Sequence, residues 1–374
     1  MIKKRLVGFP VFLILCVLLL AQTSITPLAE KILTIGPGSA EGPYLFVRVE
    51  DVKADAAGSI YVLDSVRARV AKFNSRGEFS STIGRPLFEL ISRNQFQYLN
   101  SDFVTSKLRS ARESDELYFP SAVWLTTDEV YVADMSKVVA YSAEGKTLRI
   151  IRWKERLYLR GGFPNGQGEV VLLGSIPGRN QIFHVIDTAG NIGRSYGEGF
   201  EVPPKLAASI PDDQKQTRMA MMAMPVCSCF GPEGEAVVLS PFRYEIRIYR
   251  DDELWRTVTC PAPYEGGFAG GINSYVDGKP AGYSIGYIAP PVILRKNDVI
   301  LVFQVTNRDA ADSGDPDLRS FRVDVFKKYE FLKSFNISLE GSPKALSPDG
   351  HLFTVGSLDH PFVNEYVLKF LGEL

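Results

Sequence analysis

Three histidines, four cysteines and a scatter of carboxylates and guanidinium groups are the side chains of this 374-residue chain best suited to chemistry. Histidine is the commonest acid–base and metal-ligating side chain, so its placement comes first. His184 lies inside an apolar run, His351 opens another, and His360 sits beside Asp359 in a loop. These are different positions along their segments, so no convergent cluster is expected. An oxygen-only Ca²⁺ site needs no histidine; Asp51, Asp64 and Asp134 are the candidate ligands for one. No other cofactor is implied. Arg67, Arg179, Arg243 and Arg308 fall near turns, and the planar guanidinium fork suits carboxylates and phosphates. Together they are candidates for an anion-recognising mouth, although each one singly also reads as a solvated charge. There is no glycine loop followed by lysine to cradle a phosphate, and no zinc-ligand spacing.

Cys227 and Cys229 stand two apart, on one face of an expected strand, and Cys260 follows 31 residues after Cys229. A metal site or an exported disulfide would use them. Three thiols without a nearby histidine make a poor zinc site, and small buried residues between sheets is the reading preferred here. The methionines at 219, 221, 222 and 224 read in the same way, as the buried side of a short helix rather than an adaptable binding surface.

What must position these groups is a β-rich scaffold. The chain is 45% hydrophobic and 23% charged, with a formal net charge of −1, as in ordinary folded proteins and without electrostatic attraction to nucleic acid. Residues 1–29 stand apart from the fold. A basic start, Met1-Ile-Lys-Lys-Arg5, precedes an apolar run from Leu6 to Ala21. This is expected to be a cleaved signal peptide, or else an uncleaved N-terminal anchor; the run is short of the ~20 residues of a membrane span. Cys16 follows Leu15 rather than the small residue that a lipoprotein signal needs.

From residue 31 to 374 one motif recurs: an apolar strand, a tight turn rich in Asp, Asn or Gly, and a second strand of β-branched and aromatic residues. Copies run from Val52 through Gly58 to Asp64, from Val123 through Asp128 to Asp134, and from Phe163 through Gly168 to Leu173. Others run from Cys229 through Gly234 to Leu239, from Val292 through Asn297 to Phe303, and from Ala345 through Gly350 to Val355. A third strand follows each copy. A fourth follows in all but the last, where the chain ends soon after Glu365–Phe370. The missing strand sits at the front: Lys31-Ile-Leu-Thr-Ile-Gly36 matches Phe79-Ser-Ser-Thr-Ile-Gly84. The sequence thus predicts an all-β, six-bladed β-propeller whose ring is closed by an N-terminal strand completing the last blade.

The stretch Ile60-Tyr-Val-Leu-Asp64-Ser-Val-Arg67-Ala-Arg69-Val-Ala-Lys-Phe73, with its echo Tyr131-Val-Ala-Asp134 and the linker Lys31–Gly42, resembles the NHL-repeat propellers. The resemblance covers residues 31–150 well and fades beyond. It implies a six-bladed ring and a tethering role for Asp64 and Asp134, each holding the loop that follows it. It implies no activity, since propellers host unrelated functions.

Strand order then sorts the loops. Turns between strands one and two, and three and four, share one end and are tight. Loops between strands two and three, and between blades, share the other end and carry every insertion: 86–118, largely helical; 198–224, with a helix near Asp213–Met222; 261–291, rich in Gly and Tyr; and 308–318. Long loops on a rigid scaffold carry function. The expected function is a non-catalytic ligand- or protein-binding scaffold of the cell envelope or exterior, periplasmic or secreted, using that insertion face. Its partner would be an unspecified protein or small molecule, with membrane contact only through an uncleaved anchor. The alternative is a Ca²⁺-dependent, lactonase-like propeller hydrolase or lyase.

Overall fold

The computed structural model describes residues 28–36, 42–86, 114–165, 168–208, 210, 212–231, 234–262, 268–276, 279–287, 291–306, 318–356 and 361–374, with backbone alone for 268–287. Residues 1–27 of the expected signal segment with Cys16, the helix expected after Leu87, Arg308 and His360 lie outside them. Leu28 and Ala29, assigned to that segment from the sequence, belong instead to the fold, because both pack against the hydrophobic cluster between the last two blades and Ala29 opens the closing strand. Among the described residues no helix is long and apolar enough to cross a membrane.

Six four-stranded antiparallel sheets make up the fold. Blade 1 comprises Val49–Ala54, Ile60–Asp64, Arg69–Phe73 and Phe79–Ile83. Blade 2 comprises Pro120–Leu125, Glu129–Asp134, Lys137–Ser142 and Thr147–Arg152, and blade 3 Tyr158–Pro164, Val170–Ser175, Gln181–Ile186 and Ile192–Glu198. Blade 4 comprises Cys227–Phe230, Ala236–Leu239, Glu245–Arg250 and Glu253–Thr259, and blade 5 Val292–Lys296, Val299–Val305, Leu318–Lys327 and Glu330–Glu340. Blade 6 takes Ser342–Leu346, His351–Gly356 and Phe362–Leu368 from the C-terminal end of the chain and Ala29–Ile35 from its start. The first strands of successive blades are neighbours all the way round, blade 6 meeting blade 1. The molecule is an all-β, six-bladed propeller.

Period-two alternation explains why the ring holds. In the second strand of blade 3, Val170 and Leu172 pack in a cluster with Trp124, Tyr131 and Ile151 of blade 2. Their neighbours Val171 and Leu173 pack with Ala236, Val238 and Tyr249 of blade 4. Ile60 and Val62 meet Phe353 and Val363 of blade 6, while Tyr61 and Leu63 meet Val123 and Val132 of blade 2. Likewise Ile300 and Val302 join Val237 and Leu239, and Leu301 and Phe303 join Leu352 and Tyr366. Six clusters fill the six gaps between blades. Second strands are therefore buried on both faces, whereas the outermost strand of blade 5, Glu330–Glu340, alternates exposed and covered residues along most of its length.

Ring closure is antiparallel, with Ala29 opposite Leu368 and Ile35 opposite Val363 and a bulge between Lys31 and Leu33. The partner strand begins three residues earlier than the sequence suggests, at Phe362, and Lys369–Glu373 is a 3₁₀ turn rather than strand. Buried Asn364 accepts a 2.7 Å hydrogen bond from Thr34 Oγ1 and donates at 3.2 Å to Glu340, which also receives Lys31 Nζ at 2.7 Å. These polar contacts fix the register of an edge that would otherwise be open to pairing with another chain.

The tight turns follow local chemistry. Asp251-Asp252 and Lys328-Tyr329 form two-residue hairpin turns with positive φ at both positions. Asn297 supplies the positive φ in the one–two turn of blade 5, and glycine supplies it in most of the other tight turns. At Gly190 (φ +86°) a Cβ would lie 1.5 Å from the Arg152 carbonyl oxygen, so the three–four turn of blade 3 can press on the end of blade 2 only through glycine.

At the opposite end stand the insertions. Arg85–Pro86 pairs in parallel with Glu116–Leu117, and Pro204–Ala207 and Lys215–Met222 are helices, the latter where the sequence places one. Phe268–Val276 and Lys279–Tyr287 form a two-stranded hairpin.

Candidate functional site

The acidic candidates are taken up by the scaffold. Asp64, fully buried at the end of its strand, accepts Val47 N–H at 2.9 Å, Arg48 N–H at 3.1 Å and Arg67 N–H at 3.2 Å. Asp134, at the same position in blade 2, accepts Tyr118 N–H at 3.0 Å and Phe119 N–H at 2.8 Å. The bond to Arg67 is the tether to the following loop that the repeat pattern implies. The other four clasp the loop that enters the blade, a role that pattern did not suggest. Burial pushes both carboxyls up, and the amide donors offset only part of that rise. Beside Asp134, Lys137 is nearly buried; that burial lowers its ammonium, which donates to the Ser114 and Glu116 carbonyls at 2.9 and 2.6 Å. Asp51 lies on the inner strand of blade 1, accepts Val123 N–H of blade 2 at 3.1 Å and pairs with Lys53 at 2.5 Å. Among the described residues no three His, Cys, Asp or Glu side chains gather as a metal-holding group.

The arginine candidates divide. Arg67 donates to the carbonyls of Leu45 at 2.7 Å and Gly42 at 3.4 Å, and Arg69 joins it on Leu45 at 3.2 Å. Both staple the linker into blade 1. Arg308 lies outside the described residues. Arg179 and Arg243, from the two–three loops of blades 3 and 4, line one cleft of about 730 Å³ on the insertion face. Insertion 198–224 forms its wall through Glu198, Phe200, Glu201, Val202 and the helix residues Gln216 and Met219.

Arg247, which the sequence reading missed, completes the cleft. Its guanidinium lies 4.1 Å from the Phe200 ring centroid, donates from Nη1 to the Glu198 carbonyl at 3.0 Å, and bonds through Nε to Glu245 at 2.9 Å. The same Glu245 receives Arg243 Nε at 2.6 Å. One carboxylate therefore organises two guanidinium groups, of which Arg247 is 15% exposed and Arg243 62%. Arg179 is paired with Glu155 at 2.8 Å. Of the four methionines only Met222 is buried within the helix; Met219 and Met221 are half-buried, Met224 is buried beyond the helix end, and Met219 and Met224 line the cleft.

The remaining reactive groups are locked in place. His184 Nε2 donates to the Gly174 carbonyl at 3.2 Å and Nδ1 accepts from Ser195 Oγ at 2.8 Å; burial drives its pKa down to about 4. His351 meets Glu365 at 2.6 Å. Cys227, Cys229 and Cys260 are free thiols packed with Ile293 and Val302 between blades 4 and 5, and burial pushes the Cys229 thiol up to about 12. Also unforeseen is Asp324, fully buried in blade 5. It accepts Tyr244 Oη of blade 4 at 2.6 Å, Gln304 Nε2 at 2.7 Å and Ser334 Oγ at 2.5 Å. Gly282-Tyr-Ser-Ile-Gly286 has the Gly-x-Ser-x-Gly spacing of a nucleophile elbow, a feature that the sequence reading also passed over. All five residues lie inside one strand of the hairpin, not in the strand–turn–helix that an elbow requires.

No family model and no curated protein matches the chain. Solved structures similar to it include a member of the DUF4221 family from Bacteroides vulgatus, at 9% identity and TM-score 0.49, covering 91% of this chain and 98% of that one. A streptogramin B lyase is similar at 9% identity and TM-score 0.45 (91% and 97% covered). BBS1N, solved in complex with ARL6DN, is similar at 10% identity and TM-score 0.44, with the same coverage. At these identities the likeness concerns architecture alone, and the proteins range from an enzyme to a member of a protein complex.

Proposed function

We propose that this chain is an exported, NHL-type propeller acting as a non-catalytic binding scaffold of the cell envelope or exterior, and that its ligand or partner engages the insertion face. The observation that carries this reading is the cleft between blades 3 and 4. It is built from two–three loops and an inter-blade insertion, the segments free to vary without breaking a sheet, and it holds three of the arginines at that end of the ring. The tethers at Asp64 and Asp134 support it as well, because they hold the inter-blade loops of that face rigidly against the ring.

The test compares envelope proteins and metabolites retained by the wild-type chain and by a variant with 86–118 replaced by a short Gly-Ser linker. Loss of specific retention in a folded variant is expected. Retention unchanged in that variant and in one lacking 203–223 would reject the insertion face. A stoichiometric divalent ion together with ester or lactone turnover would reject the non-catalytic reading in favour of the hydrolase.

A further inference from the structure

The charges around the blade 3–4 cleft restrict what it can hold. Arg243 and Arg247 share the single carboxylate of Glu245, while Glu198 and Glu201 bring two further carboxylates to the same lining, so the cleft presents charge of both signs. Arg243 pairs with Glu245 through Nε, and its side chain is 62% exposed, so a ligand can reach its guanidinium. A carboxylate is the group that accepts two parallel hydrogen bonds from a guanidinium fork. Glu198 and Glu201 also line the cleft and are exposed. These two carboxylates would repel a dianion such as phosphate, and they favour a ligand that brings a cation as well. Half-buried Met219 lines the same cleft and can adapt to differing apolar shapes, while Phe200 and Met224 are buried behind it. A volume of about 730 Å³ exceeds what one amino acid needs and suits a few linked residues.

We infer that this cleft binds a short zwitterionic peptide with apolar side chains, its C-terminal carboxylate on the Arg243 guanidinium, its amino group toward Glu198 and Glu201, and its side chains against Met219. The inference rests on the insertion face being the binding face, and it adds the class of ligand. Arg247 acts by position: stacked on Phe200 and bonded to Glu245, it keeps the carboxylate that orients Arg243 in place.

Titration calorimetry with the dipeptides Leu-Leu, Met-Leu and Phe-Leu tests it, alongside their C-terminal amides, their N-acetyl forms, free leucine and inorganic phosphate. Saturable binding of at least one dipeptide is expected, weakened roughly tenfold or more by amidation. Arg243→Gln should weaken the free dipeptide to a similar degree and leave the amide unaffected, because both changes remove the same ion pair. Met219→Ser should weaken both forms alike. Arg243 is mostly exposed, so its variant should melt with the wild type. No saturable binding, equal binding of free and amidated forms, or equal binding by wild type and Arg243→Gln overturns the proposal. Tighter binding of free leucine overturns the peptide assignment, and competition by phosphate overturns the zwitterion. Dipeptide binding by the wild type, with partner retention unchanged by both the 86–118 replacement and the 203–223 deletion, would uphold this inference while rejecting the wider reading. Failure of the dipeptides beside loss of partners in that replacement would do the opposite.

Discussion

Replacing Asp64 with alanine tests whether the repeated aspartate is a clasp or a ligand. In the native chain its carboxylate satisfies three backbone amides, Val47 and Arg48 on the way into the blade and Arg67 on the way out. Truncation leaves all three without that acceptor. An unmet buried donor costs ~1–3 kcal/mol, and since Val47 and Arg67 are only partly covered and Arg48 is exposed, the lower figure applies to each. The expected loss is therefore about 3 kcal/mol. For a domain of this length the unfolding entropy is on the order of 0.7 kcal/mol/K, so the melting temperature should fall by about 4 °C. Asp64→Asn keeps one oxygen, which can still serve Arg48 and Arg67, but turns an amide toward Val47, and about half the loss is expected. Urea unfolding followed by circular dichroism would give the order wild type, Asn, Ala in midpoint with a constant slope. Equal midpoints for all three would refute the clasp. So would a Ca²⁺-dependent rise in melting temperature that wild type shows and Asp64→Ala lacks, because the carboxylate would then be holding an ion.

Two further outcomes follow from buried groups. His184, held neutral with a pKa near 4 against about 6.5 in the unfolded chain, takes up its proton more readily when unfolded. Its contribution to stability is whole above pH ~6.5 and is lost as pH falls toward 4, by up to about 3 kcal/mol; an NMR titration of the imidazole with a midpoint above 6 would contradict this. Gly190→Ala places a methyl group on the Arg152 carbonyl oxygen at positive φ, and should cost ~3 kcal/mol or more; an unchanged thermal midpoint would show that the turn does not press on blade 2 as described.

The ring was legible because each of its rules is local. Alternation along Ile60–Asp64 or Val170–Leu173 marks a strand covered on both sides, and the match between Lys31–Gly36 and Phe79–Gly84 exposes the missing outer strand. The site was legible only in part. That arginines stand in two–three loops can be read directly; that Arg67 spends its fork on the Leu45 and Gly42 carbonyls cannot, since those carbonyls arrive through a linker folded back from blade 6. Arg247 and Asp324 did leave a trace, as charged residues at alternate positions within the apolar strands Glu245–Arg250 and Leu318–Lys327. Their partners come from the insertion and from the neighbouring blade, where no spacing rule reaches.

Ring closure also has a mechanical side. Leu28 and Lys369 flank the same end of the closing strand pair, joined there by the bond from Lys369 N–H to the Leu28 carbonyl at 3.0 Å. Force drawn between these two points would not shear the pair, which would require all its bonds to fail together. It would peel them apart one by one, from Ala29–Leu368 toward Ile35–Val363. The seam that closes the propeller would therefore open under tension one bond at a time. A load carried through residue 28 alone would strip the closing strand and leave blade 6 with three strands and a bare edge, while the far end of the ring, with its insertions, felt little of the pull.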